Sequence, residues 1–171
     1  MARPKTPKLS KEKTLISEVL QRVSNAKTKA EKIKILKEYD TFALQKILLC
    51  NFSYNIKFVF PPGESPYNKP EEGKEPPIDD GHHTWLLAEH RQLDKFCKKA
   101  INGQVYFGDS GTQRPSIPQL RKEQLWCQLL ENLHPQEAAV LDLVKDKKLQ
   151  TRYKITKQNV KEAFPHLDLG E

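Results

Sequence analysis

The chain has 171 residues, of which 37% are hydrophobic and 30% are charged, and its formal net charge is +7 at pH 7. This length fits one folded domain with short additional segments, and the clustering of the apolar residues excludes a wholly disordered chain. No apolar run approaches the ~18–20 residues that a membrane-spanning helix needs, so we expect no membrane contact.

The charge is unevenly distributed along the chain. Residues 1–50 carry 12 basic and 5 acidic residues, a net of +7. Residues 51–90 carry 3 and 7, a net of −4, and residues 91–171 carry 14 and 10, a net of +4. Basic ends are compatible with contact to nucleic acid, although a solvated basic surface produces the same pattern.

Helices are predicted for most of the first fifty residues. Residues 1–9 contain two prolines and several cations, which indicates a flexible basic arm. Ser10 is the expected cap of a first helix, whose apolar stripe runs from Leu15 to Val23. The capping box "TKAE" opens a second helix at Thr28, and "YDT" precedes a third helix that is almost wholly apolar.

The middle of the chain contains a long segment rich in proline. Residues 61–81 hold six prolines, three glycines and six acids, which predicts an exposed loop. Before it, the alternation of Ile56, Phe58 and Phe60 indicates either a short strand or an apolar segment laid across the helices. After it, a helix is predicted over residues 83–101, ending at Asn-Gly, and an irregular loop follows.

Three more helices are predicted towards the C-terminus. The segment "SIPQLRKEQLWCQLLENLHP" has leucines on one face, and Pro135 suits the first position of the next helix, residues 135–149. Thr156 is expected to cap the last helix, so these two helices form the outline of a helix-turn-helix with a long turn. The sequence therefore predicts a mostly α, compact single domain of about seven short helices over residues 10–169.

No residue pattern indicates catalysis or metal binding. "GDSG" at 108–111 is similar to the nucleophile loop of serine proteases, but the chain lacks the barrels and the histidine and aspartate context that this loop requires. His83, His90 and Cys97 are seven residues apart, which on a helix places neighbours ~10 Å apart, too far to bind one ion. The three cysteines follow apolar neighbours and are expected in the core, in a reducing compartment. We therefore predict no enzyme, no metal and no cofactor.

Basic residues near the C-terminus are the candidate nucleic-acid contacts. "KDKKLQTRYK" at 145–154 places five cations in ten residues at the end of a predicted helix. Cations at this position also complement the helix dipole, so a structural role is the alternative. The candidate contacts are Lys145, Lys147, Lys148, Arg152 and Lys154, with Arg3, Lys5 and Lys8 of the arm.

Five segments of the chain carry a resemblance to a known family. They are "VSNAKTKAEKIKILKEYDTFALQKIL", "FVFPPGESPY", "HRQLDKF", "LRKEQLWCQLLENLHPQEAAVLDLVKDKKL" and "ITKQNVKEAFP". In this order they resemble a family of small uncharacterised proteins encoded by large contractile-tailed phages, notably marine phages and cyanophages. The resemblance covers nearly the whole chain, which departs from it by a longer loop at residues 103–116. It implies no activity and no catalytic residues.

The resemblance implies a protein made in an infected bacterial cell. We therefore predict a non-enzymatic phage accessory protein of the host bacterial cytoplasm that contacts nucleic acid through its basic segments. The alternative is an adaptor that binds a host or phage protein, or a minor virion component, through the acidic loop. The candidate contacts for this alternative are Tyr67, Glu71 and Glu72. No oligomeric state is predicted.

Overall fold

The computed structural model describes residues 14–70 and 84–170. Within these residues the chain forms eight α-helices, one 3-10 helix and a three-stranded antiparallel sheet. The helices are α1 (Ile16–Asn25), α2 (Lys29–Glu38), α3 (Phe42–Phe52), α4 (Leu86–Glu89), α5 (Gln119–Asn132), α6 (Pro135–Lys145), α7 (Leu149–Arg152) and α8 (Lys157–Ala163). The strands are β1 (Ile56–Phe58), β2 (Cys97–Ile101) and β3 (Gln104–Phe107), and the 3-10 helix spans His90–Phe96.

These elements enclose one hydrophobic core, to which most of the helices and the sheet contribute. The prediction of a mostly α single domain is confirmed. None of the helices in the described ranges is both long and apolar enough to cross a membrane.

Several helices begin at the residues that the sequence predicts. The hydroxyl oxygens of Thr28, Thr41 and Thr156 each accept the backbone N–H three residues further on, at 3.2, 3.1 and 3.2 Å. Each bond satisfies one of the N–H groups that a helix leaves unpaired at its start. The first helix is different. Helix α1 begins at Ile16, after Leu15, which makes no side-chain cap, and the predicted cap Ser10 lies outside the described residues.

The helix predicted over residues 83–101 is wrong after residue 96, because the chain continues there as strand β2. Asn102 and Gly103, interpreted as the end of that helix, have φ angles of 51° and 80° and form the two-residue turn between β2 and β3. Such turns favour Asn-Gly because both residues need a positive φ. The predicted irregular loop therefore begins as strand β3.

The strand interpretation is confirmed for Ile56–Phe58, which pairs antiparallel with β2. An aromatic cluster forms where this strand meets α5. The rings of Phe58, Phe60 and Phe96 surround Trp126, with centroids 5.5, 5.1 and 5.2 Å from its own. The cluster therefore joins the sheet and the 3-10 helix to α5.

The first half of the proline-rich loop is docked on the helices. The N–H and the hydroxyl of Ser65 donate to Asp142 on α6 at 3.2 and 2.6 Å, and the indole N–H of Trp126 donates to the Ser65 hydroxyl at 2.9 Å. Ser65 is 8% exposed. The prediction of an exposed loop is therefore wrong at this residue, although most of residues 61–70 are exposed, and residues 71–81 lie outside the described residues.

The predicted helix-turn-helix is not formed. Helix α6 ends at Lys145 rather than at residue 149, and the single turn α7 separates it from α8. Helix α8 packs mainly against α2, whereas α6 packs against α3 and α5. The last two predicted helices therefore belong to different parts of the core.

Two of the three cysteines lie in the core, as predicted. Cys50 and Cys97 are buried, and a hydrogen bond between their thiols lowers the pKa of Cys50 and raises that of Cys97. Cys127 is instead half-buried on α5, where partial burial raises the pKa of its thiol. All three are free thiols.

Candidate functional site

The basic segment of the chain begins where α6 ends. The N–H of Lys148 donates to the carbonyl of Leu143 at 2.9 Å, and that of Lys147 donates to the carbonyl of Val144 at 3.0 Å. This pair of bonds is a Schellman motif, which satisfies the last carbonyls of a helix. Lys147 has a φ of 57°, a left-handed conformation that glycine usually supplies. The segment therefore does terminate the helix, as its structural interpretation predicts.

The ammonium group of Lys145 is bound within the protein. Its side chain is 1% exposed and donates to the backbone carbonyls of Pro61 and Gly63 at 2.9 and 2.8 Å. It also pairs with the carboxylate of Asp146 at 2.8 Å. Lys145 thus fixes the start of the proline-rich loop on α6. It is not available to a phosphate, which corrects its prediction as a nucleic-acid contact.

Lys147 is held in a similar way at the end of α3. Its ammonium donates to the carbonyls of Cys50 and Ser53 at 2.9 and 2.7 Å, where the negative end of the helix dipole lies. Burial lowers the pKa of Lys147, and the nearby cations of Lys57 and Lys157 lower it further. This second lysine therefore joins α3 to the end of α6. Its side chain is half-buried and already bound by two carbonyls, and its role as a nucleic-acid contact stays a prediction.

Changing Lys145 to Met should lower the free energy of unfolding by about 2–4 kcal/mol, because it removes three charge-assisted hydrogen bonds from a buried ammonium. Lys148→Met is the matched control, since it removes the same charge at the same helix end and should cost at most about 0.5 kcal/mol. Urea unfolding of both variants measures the difference. Equal losses would mean that Lys145 acts only on the helix dipole.

The other three predicted cations, Lys148, Arg152 and Lys154, are exposed. Lys148 precedes α7 and Arg152 ends it, so their spacing of four residues places both on one side of this turn. The Arg152 guanidinium donates to the side-chain oxygen of Gln136 at 2.9 Å. In residues 14–70 and 84–170, no hydrogen bond or ion pair engages the ammonium of Lys148 or of Lys154. These two ammonium groups are therefore available to bind a partner.

Lys148 and Arg152 form part of the wall of a pocket of about 530 Å³, here called the α6–α7 pocket. It lies between α6, α7 and the docked part of the proline-rich loop, and this volume is within the usual range for ligand sites. The other lining residues are Gly63, Glu64, Tyr67, Lys69 and Pro70 from the loop, with Pro135, Ala139, Asp142, Leu143 and Asp146 from α6.

Two acids of the α6–α7 pocket are already bound by their own chain. The carboxylate of Asp142 accepts the two hydrogen bonds from Ser65. The carboxylate of Asp146 accepts the N–H of Gly63 at 3.1 Å and pairs with Lys145. Both carboxylates therefore position the loop, and the charge of Asp146 is partly neutralised by Lys145.

The positive charges of the pocket stand at its rim. Glu64 pairs with Lys69 at 3.4 Å, so these two exposed charges offset each other. Lys148 and Arg152 pair with no acid among the described residues. The side of the pocket formed by α7 is therefore cationic, and prolines, Ala139 and Leu143 add apolar side chains to the lining.

Tyr67 contributes an aromatic ring to the same pocket. The side chain is half-buried, and the ammonium of Lys69 lies 5.1 Å from its ring centroid. Burial, together with the nearby carboxylates of Asp142 and Glu64, raises the pKa of Tyr67 to about 12. Its hydroxyl is therefore protonated and uncharged at neutral pH.

The structure thus brings together residues that the sequence assigned to two different functions. Tyr67 was a candidate contact of an adaptor, whereas Lys148 and Arg152 were candidate contacts of nucleic acid, and all three line one pocket. The remaining candidates lie outside the described residues: Glu71, Glu72, Arg3, Lys5 and Lys8.

A model for a family of unknown function (DUF6433) matches residues 19–151 of the chain. The chain belongs to this family. The DUF6433 match spans α1 to α7 and includes Tyr67 and Lys148, but it ends one residue before Arg152. No curated protein and no solved structure matches the chain. DUF6433 therefore establishes a relationship and supplies neither an activity nor a partner.

The "GDSG" segment of this DUF6433 chain forms a turn. The Ser110 hydroxyl donates to the carbonyl of Arg114 at 2.6 Å and accepts the N–H of Thr112 at 3.1 Å. A Cβ at Gly108 would lie 2.0 Å from the carbonyl oxygen of Asp94, so only glycine fits this close approach. In the part of the chain that the structure describes, no three His, Cys, Asp or Glu residues are close enough to bind a metal.

Proposed function

We propose that this chain is a non-enzymatic phage accessory protein that binds nucleic acid in the cytoplasm of the infected bacterial cell. The observation that carries the proposal is the group of three exposed cations, Lys148, Arg152 and Lys154, two of which stand on the rim of the α6–α7 pocket. The resemblance to phage-encoded proteins supports the cellular setting.

Phosphate groups are the ligand that this arrangement favours. Lysine and arginine side chains provide most of the affinity of proteins for the nucleic-acid backbone, and they act without reading the base sequence. The pocket carboxylates of Asp142 and Asp146 bind donors elsewhere in the chain and form no ion pair with Lys148 or Arg152. The net charge of +7 favours the same class of partner.

Combining Lys148→Gln with Arg152→Gln should weaken binding to nucleic acid and reduce its dependence on salt. Each phosphate contact contributes about 0.9 to the log–log salt slope on duplex DNA, so losing two contacts should flatten the slope by roughly 1–2. Fluorescence anisotropy of labelled oligonucleotides, measured over a series of salt concentrations, gives this slope.

A matched control removes two other exposed lysines, Lys34 and Lys37 of α2, by the same change to Gln. It lowers the net charge equally, so a general effect of charge would reduce binding in both variants alike. The proposal requires a clear difference between them. If the native protein binds no oligonucleotide even at about 50 mM salt, where such contacts are strong, the nucleic-acid proposal is lost.

A protein-binding adaptor, or a minor virion component, is the second candidate, and one specific feature favours it. Phe42 at the start of α3 is 77% exposed, although phenylalanine side chains are usually buried. Phe42 lines two hollows of about 340 and 330 Å³, to which Leu49 and the pair Trp85 and Leu87 also contribute. Exposed apolar surfaces of this kind are typical of protein contacts. On this candidate the contact would include Phe42, rather than only the acidic loop.

A further inference from the structure

The α6–α7 pocket combines an aromatic ring, apolar side chains and two cations from one side. Tyr67 and Pro70 line it from the loop, and Pro135 and Leu143 line it from α6. Lys148 and Arg152 line it from the α7 side and pair with no acid among the described residues, whereas the charge of Lys69 is offset by Glu64. A pocket with an aromatic ring and one cationic side fits a flat, uncharged group that has negative groups beside it.

The base of a nucleic-acid strand, with its flanking phosphates, has this chemistry. In a duplex the bases are stacked and paired, so none can enter a concave site without leaving the helix. A recognition helix that reads duplex DNA instead protrudes into the major groove. The single turn α7 stands at the edge of a hollow, which suits an unpaired base better than a groove.

Proteins that bind single strands use the same two elements. Aromatic side chains stack on bases without regard to sequence, and cations follow the backbone. The hydroxyl of Tyr67, with a pKa of about 12, is uncharged at neutral pH, so the ring can stack on a base without adding a charge of its own.

We propose that the α6–α7 pocket holds an unpaired base of a single strand against Tyr67, with Lys148 and Arg152 on the flanking phosphates. The inference rests on the proposed function and narrows it from nucleic acid in general to single strands. Tyr67 is then the residue that distinguishes a base from a bare sugar-phosphate chain.

The test compares three fluorescein-labelled ligands by anisotropy at one salt concentration. They are an oligothymidine of roughly 15 nucleotides, the same strand with abasic sites in place of its central bases, and a duplex of the same length. The native protein should bind the oligothymidine about 5- to 150-fold more tightly than the abasic strand, the factor that corresponds to ~1–3 kcal/mol for one stacked base. The duplex should bind more weakly than the oligothymidine.

Variants of Tyr67 then locate the base. Tyr67→Leu should reduce binding of the oligothymidine to the level of the abasic strand and leave the abasic strand unaffected. Tyr67→Phe keeps the ring and should bind both strands as the native protein does. Thermal melting establishes that each variant is folded, and the comparison of ligands on the native protein stands even where Tyr67→Leu does not fold.

The outcomes separate this inference from the proposed function. Equal, salt-dependent binding of all three ligands would overturn the single-strand inference and leave nucleic-acid binding intact. A preference for the oligothymidine that Tyr67→Leu retains would likewise place the base elsewhere. Absence of binding to every ligand would remove the proposed function itself.

Discussion

Replacing Glu137 by alanine should lower the free energy of unfolding by about 3–5 kcal/mol, because its buried carboxyl group accepts two hydrogen bonds from distant helix starts. One oxygen accepts the N–H of Ile16 at 2.9 Å, and the other accepts the N–H of Leu86 at 3.0 Å. These residues begin α1 and α4, and the residue before each helix makes no side-chain cap. Glu137 therefore caps both helices at once.

Two further variants make this prediction specific. Glu137→Gln keeps one acceptor oxygen and turns an amide donor towards the other N–H, so a loss of about 2–3 kcal/mol is expected. Glu123→Ala on α5 is the control, since Glu123 has no hydrogen bond or ion pair among the described residues, and it should cost at most about 0.5 kcal/mol. Urea unfolding gives all three values. Similar stability of Glu137→Ala and the control would show that the two helix starts find other acceptors.

Replacing Lys122 by methionine should also lower the free energy of unfolding by about 3–5 kcal/mol, because it leaves the buried carboxylate of Asp109 without its cation. The ammonium of Lys122 lies 3.2 Å from Asp109, and the two side chains are 1% and 0% exposed. The same oxygen of Asp109 accepts the backbone N–H groups of Ser116 and Ile117. Its second oxygen has no partner within the described part of the chain, and no other cation there pairs with the carboxylate.

The pH dependence of this variant provides a second measurement. Burial acts to raise the pKa of Asp109, but the hydrogen bonds from Ile117, Lys122 and Ser116 outweigh it and lower the pKa. A lowered pKa means that the ionised group stabilises the native fold above the ordinary pKa of aspartate, about 3.9, and that this contribution is lost below it. The difference between native protein and Lys122→Met should therefore shrink as the pH falls below about 4.

Two controls separate the buried charge from other effects. Adding Asp109→Asn to Lys122→Met removes the stranded charge and should recover at least about 1 kcal/mol. Lys46→Met breaks the more exposed pair of Lys46 with Asp94, whose side chains are 22% and 57% exposed, and should cost about 1 kcal/mol or less. A double variant as unstable as Lys122→Met alone would mean that packing, rather than charge, determines the loss.

The sequence predicts those parts of the fold that depend on near neighbours. Thr28, Thr41 and Thr156 act on N–H groups three residues away, so each cap can be recognised without knowing the rest of the chain. The hairpin cannot be recognised in this way, because Asn-Gly serves both the end of a helix and a two-residue β-turn. What decides between them is strand β1, which lies far away in the sequence.

The same distinction applies to the candidate site. The helical period gives the direction of Lys145, but the carbonyls of Pro61 and Gly63 that bind it come from a separate loop. The apolar residues that α6 contributes to the pocket follow a pattern that is visible in the sequence. Pro135, Ala139 and Leu143 recur every four residues along α6, a spacing that places them on one face. The sequence alone does not show that this face lines a pocket, because the loop that lies beside it comes from a distant part of the chain.

The position of α6 in the chain has a consequence for the order of folding. Glu137 contacts residues 121 and 51 positions earlier, and Lys145 contacts the loop 84 and 82 positions earlier. A ribosome must therefore complete α6 before α1, α4 and the proline-rich loop can find their final partners. Contacts between such distant positions form late because closing long loops costs entropy. In a nascent chain, α1, α4 and the proline-rich loop therefore lack these contacts until α6 has been synthesised. The α6–α7 pocket can form only after that.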